Sequence, residues 1–158
     1  INKNISFNIK CHHIPIERKI NIKKDILCLK KIINILKNEK FDIIHTITPK
    51  AGLLGLISGF SSKTPIRIHT FTGQVWANKK GVFKLILKNI DRLINALATN
   101  VIVDGYSQRM YLIENKIVNQ KSIVLGKGSI CGVDTDKFKP NKLLKAELRY
   151  KYNIKGVL

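Results

Sequence analysis

The stretch FDIIHTITPKAGLLG, residues 41–55, decides how the chain is read. Phe41, Ile43 and Ile44 make a short apolar run of the kind that forms a buried strand. Thr48 followed by Pro49 is a helix start: an N-cap residue, then proline at the first helical position, where its missing N–H costs nothing. Between the two elements lie His45, Thr46 and Thr48, while Lys50, Ala51 and Gly52 leave the first helical turn almost without apolar bulk. In a doubly wound sheet such a link sits beyond the carboxyl end of a strand, where ligands bind. The stretch therefore places His45, Thr48, Lys50 and Gly52 in a crevice. Lys50 and the helix-start N–H groups are suited to an anion, and Gly52 lets a ligand approach. The plain alternative is a well-capped helix behind a strand.

Outward from this unit the same alternation continues. Residues 5–10 (ISFNIK) alternate like a strand, and Asp25 is placed to cap a helix carrying Ile26, Leu29, Ile32, Ile33 and Leu36 on one face. After the strand at 41–45 and a helix over 49–59 come a strand at 65–70, a polar loop (FTGQVWANKKG), and a helix over 82–99. Lys84, Lys88, Asp91 and Asn95 form a polar stripe on that last helix. A short strand at 101–104, a helix capped by Ser107, and a strand at 121–126 follow. The chain then turns glycine-rich before a basic helix over 142–152 and the start of another strand. Short apolar strands alternating with amphipathic helices predict an α/β fold: a Rossmann-like parallel sheet with helices on both faces.

The loop after the 65–70 strand adds a second polar cluster. It brings Thr70, Thr72, Gly73, Gln74 and Trp76 together with two lysines. An aromatic ring beside hydroxyl, amide and glycine groups suits a sugar, whose apolar face stacks while its hydroxyls hydrogen-bond. Other motifs carry less. Cys11-His12-His13 has no second ligand pair at metal spacing, and adjacent strand residues point to opposite faces. Asp134-x-Asp136 matches a metal–nucleotide DxD motif, yet its turn-rich setting reads as a solvated turn. No GxGxxG, P-loop or GxSxG occurs, and with so few carboxylates a two-carboxylate hydrolase is hard to assemble. No metal or cofactor is expected.

The 158 residues suffice for one core, and the 44% apolar content argues against disorder. Three scattered cysteines without a CxxC pair fit a reduced, cytoplasmic setting, and no apolar run approaches the roughly 18 residues of a membrane span. With 29 Lys+Arg against 10 Asp+Glu the net charge is +19. AT-rich codons account for the lysines but not for the scarcity of Glu. The charge suits anionic lipid, polyphosphate or nucleic acid. Lys19, Lys23, Lys24, Lys79, Lys80 and Lys84 are the candidates for a lipid-facing surface. Few aromatics interleave with the dispersed lysines, which weighs against nucleic acid. A non-catalytic basic module that binds anionic membrane or nucleic acid is the competing reading.

DIIHTITPKAGLLGLISGF, PIRIHTFTGQVWANKKG, DRLINALATNVIVDGYSQRMYLI and IVLGKGSICGVDTDKF occur in the order found in family 4 glycosyltransferases. The branch they resemble builds bacterial surface polysaccharides, and IPIERKINIKKDILCLKKI, with Arg18 and Asp25, resembles the segment before them. The resemblance runs from about residue 14 to 140 and implies the N-terminal part of a GT-B enzyme. Residues 1–126 would be an incomplete acceptor-side domain lacking its first strand. Residues 127–140 would be a hinge segment with Gly128, Ser129, Gly132 and Asp134, and 141–158 the start of a truncated nucleotide-sugar domain. The implied parent is a retaining hexosyl- or N-acetylhexosaminyl-transferase that needs no metal. It moves sugar from a nucleotide-sugar to a lipid-linked or polysaccharide acceptor at the inner face of the cytoplasmic membrane. His45, Thr48, Lys50, Gly52, Thr70, Gly73, Gln74 and Trp76 are the implied acceptor-side residues. Thr72 stands where many members carry a catalytic-site His in TxHG, and it would act through hydrogen bonds.

Overall fold

The computed structural model describes residues 10–17, 19–129 and 132–156. The expected strand at 5–10 lies outside them except for Lys10. The chain runs α1 (Ile22–Glu39), β1 (Ile43–Thr46), α2 (Pro49–Ser61), β2 (Ile66–Phe71), α3 (Gly81–Leu97), β3 (Asn100–Val103), α4 (Tyr106–Glu114) and α5 (Lys142–Lys151). The strands form a parallel sheet in the order β1-β2-β3, with Thr46 beside His69 and Phe71 beside Val103. This is the expected Rossmann-like α/β architecture, although among the described residues helices pack on one face of the sheet and not on both as expected.

The helix starts differ from expectation for local reasons. Asn21, not Asp25, caps α1, its side chain accepting the Lys24 N–H at 3.2 Å. Asp25 reaches back one turn to accept the Asn21 N–H at 3.2 Å, so the two residues satisfy each other's donors reciprocally. Ser107 lies inside α4, whose cap is Gly105. The hydrogen bonds Asp104 N–H to Phe71 O (3.1 Å) and Ser129 N–H to Asp104 O (2.5 Å) fix the end of β3, and the helix begins at once. The expected strand at 121–126 shrinks to a single parallel bridge, Ile102 to Ile123, because turns close in on both sides.

Helix α2 answers the question raised by its sparse side chains. Gly52, Gly55 and Gly59 lie on one face of the helix, and that face rests on β1 and β2. A Cβ at Gly52 would stand 2.5 Å from His69 Cε1, at Gly55 2.7 Å from Thr46 Cγ2, and at Gly59 3.0 Å from Ile44 Cγ2. The bulk is missing so that the helix can sit on the strands. Gly52 therefore makes room for the His69 ring, not for a ligand as the sequence suggested.

Two apolar clusters hold the layers together. One joins Leu56 of α2 to Phe71, Ile94, Val103, Leu112, Ile117 and Val118, with Trp76 among them. The other joins Cys28, Ile32 and Leu36 of α1 to Leu54, with Ile14, Ile16 and Ile44 packed on it. The sheet residues in these clusters share one face. On the opposite face Ile43 and Ile66 remain exposed, and helices covering it are not among the described residues.

Candidate functional site

Parallel pairing brings the carboxyl ends of β1 and β2 side by side, so the two polar links meet at one sheet edge. On one face His45 Nε2 lies 2.7 Å from the Thr70 hydroxyl. On the other face Thr46 Oγ1 lies 2.8 Å from His69 Nδ1. His69 is buried, and its pKa falls to about 4 because burial disfavours the imidazolium and His45 adds like charge. At neutral pH the ring is uncharged and serves as a hydrogen-bonding wedge between α2 and the sheet. Sequence reasoning passed over His69, although its alternation with Arg67 and Phe71 in β2 assigns it to the helix-covered face.

The first link is committed to the protein itself. Thr48 is the N-cap of α2 by backbone geometry, but its hydroxyl makes no capping bond. Lys50 extends to three internal oxygens: Asp25 Oδ1 at 2.7 Å, Glu17 O at 2.8 Å and Lys19 O at 2.6 Å. Two of these contacts are hydrogen bonds to backbone carbonyls and the third is an ion pair. The expected meeting of Lys50 with an anion gives way to a clamp that ties the segment before α1, and α1 itself, to α2. The Lys50 ammonium in turn holds the Asp25 carboxyl below the usual carboxylate range.

The second link divides into an open tip and a buried anchor. Thr72 and Gly73 are exposed, and a Cβ at Gly73 would meet nothing within 4 Å. The Gln74 amide nitrogen is shut off from solvent, yet no hydrogen-bond partner reaches it among the described residues. Such a group carries a desolvation cost until something meets it. Trp76 departs from expectation. It is 1% exposed, so its ring presents no platform for a sugar. Its indole N–H donates to Asp91 Oδ2 at 2.7 Å and its ring stacks on Tyr111 at 5.4 Å. The ammonium groups of Lys88 and Lys84 stand 5.1 and 5.9 Å from the Trp76 ring centroid. The turn Gln74–Lys79, closed by Ala77 N–H to Gln74 O and Lys79 N–H to Trp76 O, folds the indole back onto α3. The polar stripe of α3 is thus the wall that receives Trp76. Burial pushes the Asp91 carboxyl up to about 6, against the opposing pull of the indole hydrogen bond.

The remaining sequence-derived residues lie elsewhere. Gly128 has φ +93 and packs against the end of β3, where a Cβ would be 3.1 Å from Asp104 O. Ser129 also has positive φ, 63°. Gly132 is exposed, and Asp134 Oδ1 accepts the N–H groups of Asp136 (3.1 Å) and Lys137 (3.0 Å) as a turn cap. His12 lies 4.0 Å from Glu39.

In a parallel α/β sheet ligands bind beyond the carboxyl ends of the strands, where the two polar links meet, and sequence comparison shows what the chain is similar to. The chain is homologous over most of its length to bacterial glycosyltransferases of polysaccharide biosynthesis. It is 34% identical over 128 residues, 80% of its length, to the capsular polysaccharide biosynthesis glycosyltransferase CapM of Staphylococcus aureus. It is 30% identical over 135 residues, 85% of its length, to the UDP-Gal:alpha-D-GlcNAc-diphosphoundecaprenol alpha-1,3-galactosyltransferase of Escherichia coli. In both cases the match spans 34% of the relative, so the chain corresponds to about a third of these proteins. No family model matches. Among the described residues, no helix is long and apolar enough to cross a membrane.

Proposed function

We propose that this chain is the acceptor-side part of a GT-B glycosyltransferase that works at an anionic membrane surface, the inner face of the cytoplasmic membrane. The parent transfers a hexosyl or N-acetylhexosaminyl group from a nucleotide-sugar to a lipid-linked or polysaccharide acceptor, with retention at the anomeric carbon. An acceptor hydroxyl oxygen forms the new glycosidic bond as the bond to the nucleotide diphosphate breaks, and the hydroxyl proton leaves with that phosphate. The observation that carries this reading is the homology to two glycosyltransferases across 80% and 85% of the chain. Residues 1–126 form the acceptor-side unit, 127–140 the hinge, and 141–158 the beginning of the donor-side unit.

Within this reading the second link meets the sugar. Thr72 offers an exposed hydroxyl at the open tip and His45 an exposed ring at the same edge; Thr70, 1% exposed, holds the His45 ring, and the shut-off Gln74 amide follows Thr72 and Gly73 in the chain. Gly73 leaves the tip uncrowded. Trp76 and Asp91 position this link from beneath, while Lys50 and Gly52 position α2. The test is transfer by the longer polypeptide that contains this chain, assayed with a panel of nucleotide-sugars and undecaprenyl-diphosphate-linked sugar. Retained transfer of one sugar is expected, with none from the 158-residue chain alone, which corresponds to about a third of its glycosyltransferase relatives. Absence of transfer by the longer polypeptide with every donor contradicts the proposal.

A further inference from the structure

The second link is gripped by a closed circuit of contacts around one side chain. The Trp76 indole N–H donates to Asp91 of α3, and its ring stacks on Tyr111 of α4 with the planes 15° apart. Lys88, one turn before Asp91, holds its ammonium over the same ring and donates to Asn115 Oδ1 at 3.0 Å. The Asn115 amide in turn donates to Tyr111 O at 2.8 Å, which closes the circuit at the stacked residue. Two helices thus hold one residue of the link. The turn bonds Ala77 N–H to Gln74 O and Lys79 N–H to Trp76 O carry that hold to the backbone of Gln74.

A carboxylate is a costly choice for the position of Asp91. An amide oxygen would accept the indole N–H without a charge, and a Phe facing an apolar residue would pack with no polar atoms at all. Asp91 is 5% exposed, and burial disfavours its ionised form. In return, a carboxylate at the indole nitrogen makes a charge-assisted bond. It also raises the electron density of the ring, which strengthens the attraction of the ring for the Lys88 ammonium.

We propose that Asp91 is a positioning residue for acceptor use: acting through Trp76, with Lys88 and Tyr111 completing the grip, it fixes the setting at which the second link presents Thr72 and Gln74. This inference rests on the reading of the second link as the acceptor contact, and adds that its setting is held by charge and not by packing alone. Removing the charge therefore impairs use of the acceptor and leaves affinity for the nucleotide-sugar unchanged.

The test is a double-mutant cycle in the longer polypeptide with Asp91→Asn, Trp76→Phe and the two combined. Acceptor kcat/KM and the KM for the nucleotide-sugar are measured for each. Asp91→Asn keeps an oxygen for the indole but no charge, and Trp76→Phe keeps a ring but no N–H. Each single variant is expected to lower acceptor kcat/KM by about tenfold, with the nucleotide-sugar KM unchanged. The double variant should fall no further than the worse single one, because Asp91 acts through the indole. At neutral pH the thermal midpoint of Asp91→Asn should stay at or above that of wild type, since the amide relieves a buried charge. Activity lost without stability lost is what a purely structural role does not produce. In the 158-residue chain, amide exchange at Ala77 and Lys79 should quicken by about tenfold in both single variants while the amides of β1 and β2 hold. Unchanged acceptor kcat/KM for Asp91→Asn, losses that multiply in the double variant, or unchanged exchange at both amides overturns the inference while the transferase reading stands. A wild type that transfers no sugar overturns the transferase reading and the acceptor role of Asp91 with it.

Discussion

The link after β1 and the link after β2 carry similar residues to the same sheet edge, but the protein uses them differently. In the first, Lys50 donates to two backbone carbonyls and ion-pairs with Asp25, and the space at Gly52 is filled by His69. In the second, Thr72 and Gly73 lie open and the Gln74 amide nitrogen has no hydrogen-bond partner among the described residues, beside an anchor formed by Trp76 and Asp91. A polar residue at a strand's carboxyl end is thus not enough to mark a ligand contact. What distinguishes the two links is whether the polar groups already have partners.

The comparison breaks most sharply at the anchor. Trp76→Ala removes a buried indole and leaves Asp91 facing a cavity, and a loss of about 3–5 kcal/mol is expected in urea denaturation. A change under about 1 kcal/mol would mean that the second link is not held from beneath.

Acid titration probes both links together. The folded His69 pKa of about 4 lies below the 6.5 of the free side chain. The unfolded state then binds more protons, so acidification from 6.5 toward 4 removes stability. For Asp91 the folded value of about 6 lies above 3.8, the folded state binds more protons, and acidification over the same range restores stability. The two contributions oppose each other. Asp91→Asn removes the second, and its stability should fall relative to wild type by about 2 kcal/mol between neutral pH and pH 4. Parallel pH profiles for the two proteins would show that Asp91 does not titrate as a buried group.

The glycines give a smaller, paired effect. Gly52→Ala drives a Cβ into the His69 ring at an overpacking cost of about 1–3 kcal/mol, offset by about 1 kcal/mol of helix propensity. Gly73→Ala meets nothing and should stay within about 0.5 kcal/mol of wild type. Equal thermal midpoints for the two variants would erase the distinction between a packed and an open link. Smallest of all, Lys50→Met should lower the midpoint slightly and loosen the segment before α1, visible as faster amide exchange around Glu17–Lys19.

Much of the fold was legible because its signals are local. Strand periodicity, Thr-Pro at the start of α2 and the apolar run of β3 fix elements within a few residues, and their alternation implies a parallel sheet. The misread residues depend on partners far along the chain. Lys50 finds Asp25 and the carbonyls of residues 17 and 19, and Gly52 is shaped by His69. Trp76 meets Asp91 one helix later. An exposed aromatic and a buried one look identical in sequence, and so do a glycine cleared for ligand and one cleared for a neighbouring strand. The polar stripe of α3 could not be oriented from sequence, because amphipathicity gives a direction relative to the helix, not to the protein.

The central claim is that the second link, and not the first, meets the acceptor. The direct measurement is acceptor kcat/KM in the longer polypeptide for Gln74→Leu beside Lys50→Met. The account predicts about a tenfold loss for Gln74→Leu, the value of one hydrogen bond made in the transition state, and near-wild-type acceptor use for Lys50→Met once it is folded. An unchanged kcat/KM for Gln74→Leu, with a large loss for Lys50→Met, would reverse the assignment and return the acceptor to the first link.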